Sequence, residues 1–246
     1  MQPGMRRSRR ILRRAALITL IVSPLALLTL CLALEHRPDW YRPAFLDEQG
    51  VQSARRDATN AVDQFGDQLV RRRPFDVVLR DDALTTWLSA MPHIWPDAAQ
   101  ALPRQLHDPA LRFEPGAIRF GAIYDFSGWR ALVSAAVAAT LVDGGEVIDL
   151  RLTEARCGSV RVPELLLGRI VDPHLRPAAS SAAEQAPASA TAPELLSSLR
   201  EVRSIYQLCR GVGIRNRFVW PNGKRPFRID RIQIDAGELR LRIEPL

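Results

Sequence analysis

Trp129-Arg130-Ala131-Leu132-Val133-Ser134-Ala135-Ala136-Val137-Ala138-Ala139-Thr140-Leu141-Val142 is the stretch on which the fold turns, because it admits two opposite readings. Alanine is the best helix former, and five of these residues are alanine. Against a helix stand Ser127-Gly128 before the stretch, Asp143-Gly144-Gly145 after it, and the β-branched Val133, Val137, Thr140 and Val142 within it. Turn residues at both ends and β-branched residues inside predict one long strand. A strand with Ala131, Ala135, Ala136, Ala138 and Ala139 leaves space on both faces where an ordinary core strand carries Val, Ile or Leu.

Working outward, Val147 to Thr153 answers this strand as its hairpin partner, with Ile148, Leu150 and Leu152 on one face and Asp149, Arg151 and Thr153 on the other. Upstream, Ala110 to Phe113, a Glu-Pro-Gly turn at 114 to 116, and Ala117 to Phe126 read as a further hairpin with Ile118, Phe120 and Ala122 on one face. At the far end Phe218 to Trp220, a Pro-Asn-Gly turn, Arg228 to Ile234 and Glu238 to Ile243 read as strands. In the last of these Leu239, Leu241 and Ile243 alternate with Arg240, Arg242 and Glu244.

Helical periodicity appears elsewhere. From Asp47 to about Arg72, Val51, Ala54, Ala58, Val62, Phe65 and Leu69 recur three or four apart, an amphipathic helix that Pro74 ends. Its seam is short and alanine-rich, which favours packing on its own domain over a coiled-coil stem. Phe75 to Leu79 is a short strand. Asp81 then reads as the N-cap of a helix bearing Leu84, Trp87 and Leu88, so that Asp81 and Asp82 serve as cap and dipole charge rather than as an acid–base pair. Prolines at 92, 96, 103 and 109 predict turns around one brief helix at 97 to 102. Pro163 opens a leucine-rich helix over Glu164 to Ile170, and a helix runs from Glu194 to about Cys209 until Gly211. Between them Pro177 to Pro193 is nearly all Ala, Ser, Pro, Glu and Gln, too little apolar area to offset ordering entropy, and reads as a mobile loop.

The N-terminus carries the location. Six arginines, Arg6, Arg7, Arg9, Arg10, Arg13 and Arg14, precede an uncharged run from Ala15 to Leu34. About 20 apolar residues span a bilayer core, so residues 15–34 read as one transmembrane helix. A signal peptide has a shorter apolar core of about 7–15 residues and a small-x-small cleavage site, which Leu32-Ala33-Leu34 is not. Arginines stay on the cytoplasmic side, whereas the far flank (Glu35, His36, Arg37, Asp39, Arg42) is mixed. The expected arrangement is a cytoplasmic tail over 1–14, the anchor, and an exported domain over 35–246. Trp40 and Tyr41 stand where aromatic rings favour the headgroup layer.

The formal net charge of +7 suggests a nucleic-acid binder until it is located. Six of the positive charges lie in the first fourteen residues, so the exported part is nearly neutral and lacks the basic face that sequence-independent binding needs. The tail serves topology and meets anionic lipid instead. Nothing names a reaction, cofactor or metal. His36, His93, His107 and His174 are scattered, Gly211-Val212-Gly213 lacks the third glycine of a dinucleotide loop, and neither a Gly-x-Ser-x-Gly elbow nor a phosphate loop occurs. With Cys31 in the anchor, Cys157 and Cys209 remain as a disulfide or, preferably, as two buried thiols.

The order of parts resembles the YpmS family of membrane-anchored, uncharacterised bacterial proteins. The likeness lies in an Arg-flanked anchor, a strand leading into a helix (Phe75 to Leu88), and Arg156-Cys157-Gly158-Ser159-Val160-Arg161-Val162-Pro163 running into a leucine-rich helix. It continues in Trp220-Pro221-Asn222-Gly223 and in the closing Ile232-Gln233-Ile234-Asp235-Ala236-Gly237-Glu238-Leu239. It covers roughly residues 70 to 246 apart from the Ala/Ser loop. The resemblance implies architecture and supplies no catalytic residues.

The expectation is therefore an α+β protein, a single transmembrane helix followed by one exported domain of antiparallel strands packed with a few helices. Two functions fit. One is an envelope module that holds a lipid or other apolar ligand in a groove lined by Ala131, Ala135, Ala136, Ala138 and Ala139. The other is a structural subunit docking on an integral membrane protein. The groove needs a filler, and the alternative to a ligand is close packing of the helix at 195 to 209 on the sheet.

Overall fold

The computed structural model describes residues 23–25, 27–29, 31–96, 105–126, 128–163, 167, 209, 211–220 and 225–246. Outside these lie the arginine tail with Arg13, Arg14 and Ala15, most of the apolar run, the brief helix at 97–102, nearly all of the helices expected at 164–170 and 194–209, the Ala/Ser loop and the Pro-Asn-Gly turn. The described residues form an α+β fold of mostly antiparallel strands with two long helices.

The alanine-rich stretch is a strand. It forms β4, Trp129–Val142, between β3 (Ala117–Phe126) and β5 (Val147–Cys157), with β2 (Leu106–Glu114) beyond β3. Two short strands, β6 (Val160–Arg161) and β7 (Val212–Arg215), pair with opposite ends of β5. A second sheet has the order β1-β10-β9-β8, from Phe75–Arg80, Glu238–Pro245, Pro226–Asp235 and Phe218–Val219. The two sheets meet through Phe113, Ile118 and Ala139 of the larger one and Ile232, Ile234, Leu239 and Leu241 of the smaller. Beside this contact Ile148, Ile214 and Phe218 extend the core. The alternation read along β10 holds, with Leu239 and Ile243 buried.

Three expectations need correction. The strand before the Glu-Pro-Gly turn begins at Leu106 and passes through Pro109. It can do so because β2 is an edge strand whose register slips between His107 and Ala110, with Asp108 at φ 52, so that the missing donor of Pro109 breaks no ladder bond. The helix expected after Asp81, here α2 (Asp81–Ile94), takes Arg80 as its N-cap without a side-chain bond, because β1 runs straight into it. The Asp81 N–H instead donates to Gly237 O at 3.1 Å, and Asp82 accepts the Ala83 N–H at 2.8 Å. Pro92 lies inside the last turn of α2 rather than beyond it. The earlier helix, α1 (Glu48–Val70), starts at an Asp47 cap that accepts the Gly50 N–H at 2.7 Å. Its buried stripe passes through Ala54, Ala58, Gly66 and Leu69 and leaves Val62 exposed.

The free edge of β2 is closed off by neighbours. The Thr85 hydroxyl of α2 donates to Leu111 O at 3.1 Å and accepts the Leu111 N–H at 3.0 Å, which satisfies two ladder groups of an edge strand. Tyr41 closes a further point, donating to Asp108 O at 2.6 Å.

Candidate functional site

The two faces of β4 are filled differently, and this separates the five alanines. The register sets Arg119, Ala136 and Glu154 side by side on one face and Phe120, Ala135 and Ala155 on the other. By strand alternation Ala131, Ala135 and Ala139 share the second face, and Ala136 and Ala138 the first. No single surface collects all five. Ala139 is covered by the smaller sheet.

On the first face the space above Ala136 is taken by an ion-pair network. The Arg119 guanidinium donates to Glu154 at 2.8 Å and to both oxygens of Glu114 at 2.7 and 2.9 Å. A side chain larger than alanine between Arg119 and Glu154 would block that bridge. Glu154 is held down to about 2, mainly by its hydrogen bond from Arg156 and then by that from Arg119, against the opposing effect of burial. Trp40 lies over the same network, its ring centroid 5.7 Å from the Arg119 guanidinium carbon. A Cβ at Gly121 would stand 2.6 Å from the edge of that indole, so the close approach requires glycine there. Tyr41 is 8% exposed, in one cluster with Ala110, Ile123 and Leu132. Burial, and then the nearby Asp108 charge, push its hydroxyl up to about 12, so it remains a hydrogen-bond donor. Trp40 and Tyr41, expected at the headgroup layer, thus pack against the sheet.

The end of the apolar run is built into the same sheet. Residues 31–35 are helical, and the Ala33 carbonyl accepts hydrogen bonds from the Ser159 N–H at 2.9 Å and the Ser159 hydroxyl at 3.0 Å. Gly158 N–H bonds back to Leu132 O at 2.7 Å. Gly158 sits at φ +58, and an added Cβ would collide with the Ala33 and Leu34 carbonyls. Helix end, β5–β6 turn and aromatic linker therefore form one packed unit. Upstream, Leu25, Leu27, Leu28 and Leu32 are between 56% and 63% exposed. Among the described residues no helix is long and apolar enough to cross a membrane.

On the second face of the sheet Ala131 and Ala135 are partly buried and Ala155 nearly fully. Next to them, at the β5–β6 edge, lies a cavity of about 210 Å³ lined by Leu152, Ala155, Val162, Leu167 and Cys209, with Glu154 and Arg161 as charged walls. The extra residue of a bulge, Thr153, opens β5 there and donates its hydroxyl to Ala136 O at 3.0 Å. Cys157 is a free thiol whose pKa burial raises, which disfavours the reactive thiolate. Among the described residues no group of three or more His, Cys, Asp or Glu is arranged to hold a metal ion.

Compared with known protein families and with curated proteins, the chain matches none. Two features of this region escaped the sequence reading. Arg119, Glu114 and Glu154 meet only once the strand register is known, and Gly158 carries no local signal that a helix more than a hundred residues upstream docks on it.

Proposed function

We propose that the chain is a single-pass envelope protein, anchored by residues 15–34 with its N-terminus cytoplasmic, whose exported domain binds an apolar ligand such as an acyl chain. The observation that carries the reading is the junction. The last turn of the apolar run is hydrogen-bonded into the sheet, while the leucines before it are left uncovered by the domain. Exposed leucines on consecutive turns are costly in water and expected in lipid. The ligand part rests on Ala155, which lines the cavity, and on Ala135 opposite it across the β4–β5 ladder.

A second reading, a subunit that docks on an integral membrane protein, draws on the cavity's size. At 210 Å³ it falls below the roughly 300–1,000 Å³ of ordinary small-molecule pockets. Mass spectrometry of organic extracts from the purified full chain separates the two. Bound phospholipid or fatty acid is expected, and Ala135→Trp should remove it while the melting curve stays near that of the parent. Absence of lipid, with Ala135→Trp destabilised by roughly 1–3 kcal/mol through overpacking, would favour docking.

A further inference from the structure

We infer that the β3–β4 hairpin is a second membrane contact, with Trp129 seated in the headgroup layer of the phospholipid surface from which the anchor emerges. The inference rests on the anchor reading above and goes beyond it, assigning a surface of the folded domain to the bilayer. Trp40 and Tyr41 are occupied by the sheet, so the aromatic contact that the exit point of a membrane helix commonly carries must come from elsewhere. Trp129 is 53% exposed, and it follows Gly128, around which an added Cβ would meet nothing within 4 Å.

Its position is tied to the anchor through the backbone. Leu132 O accepts from Gly158, and neighbouring Ser159 holds Ala33. Trp129 is three residues back along β4 from Leu132, about 10 Å at roughly 3.3 Å per residue. The Trp129 backbone therefore lies at the same end of the sheet as the point where residues 31–35 meet the domain. Indole is suited to this layer because its ring favours the acyl boundary while its N–H stays hydrated. Arg130, beside it, is ion-paired to Asp125 at 3.3 Å, so the hairpin carries little net charge and has no need of anionic lipid. Trp129 also shares the face of Ala131.

The test uses the full chain in phosphatidylcholine vesicles containing lipids brominated either near the headgroup or near the bilayer midplane. Bromine near the headgroup should quench tryptophan fluorescence more strongly, and Trp129→Phe should remove most of that quenching. Trp95→Phe, which removes another exposed tryptophan, should leave the quenching in place. Quenching unchanged in Trp129→Phe, with the chain still resistant to alkaline carbonate extraction, would overturn the hairpin contact and leave the anchor standing. A chain that alkaline carbonate releases from the vesicles would overturn both.

Discussion

Replacing Asn216 with alanine is expected to destabilise the domain by about 3–5 kcal/mol, since each buried polar group left unpaired costs about 1–3 kcal/mol. The melting temperature should fall by roughly 10 °C, given about 2–4 °C per kcal/mol for a chain of this size. Asn216 is 3% exposed and uses its whole amide. Its Nδ2 donates to Gly145 O and to Ile229 O, both at 2.6 Å, and its Oδ1 accepts the Ile229 N–H at 2.9 Å. Its own N–H donates to Glu146 O at 2.8 Å. Gly145 and Glu146 belong to the turn between β4 and β5, and Ile229 to β9, so one side chain ties the larger sheet to the smaller. Asn216→Asp keeps the acceptor for Ile229 but turns an oxygen toward two carbonyls, and should be destabilised as well. That variant should gain stability as pH falls and the introduced carboxylate takes up a proton that can be donated. Unchanged melting in both variants would show that the clamp is dispensable.

Gly158→Val is expected to detach the end of the apolar helix from the sheet. A left-handed backbone costs a non-glycine residue about 1–2 kcal/mol, and here the added Cβ also meets the Ala33 and Leu34 carbonyls, backbone atoms that cannot rotate away. The Ser159 bonds to Ala33 should be lost with them, freeing residues 36–41 to pull Trp40 from Gly121. Hydrogen exchange read by mass spectrometry should then rise across residues 33–41 and at the β5–β6 turn, while β9 and β10 keep their protection. Exchange unaltered across residues 33–41 would mean that the junction is held by other contacts.

Much of this architecture was legible along the chain. The strand β4 could be read from Gly128 and Asp143-Gly144-Gly145 at its ends despite its alanines, and β10 from strict alternation, since both signals are local. Strand β7 was not, because Val212–Arg215 opens on Gly211-Val212-Gly213, which looks like the end of a helix. Only its pairing with Val147–Leu150 makes it a strand. Pro109 misled for the opposite reason: a bulge on an edge tolerates what a central strand would reject. The alanines announced space on both faces, but not its contents. What fills the space over Ala136 is an arginine from the neighbouring strand, reaching a glutamate on the strand beyond. The role of Asn216 depends on backbone groups of Gly145 and Ile229, which only the folded sheets bring together.

Protease accessibility in spheroplasts tests the central claim most directly. With an epitope tag on the N-terminus, proteinase K added from outside should digest the domain beyond residue 35 and leave a short tagged fragment in the membrane pellet after alkaline carbonate extraction. A full-length chain surviving the protease until the membrane is opened, or a tagged chain released by carbonate, would contradict the anchored, exported arrangement.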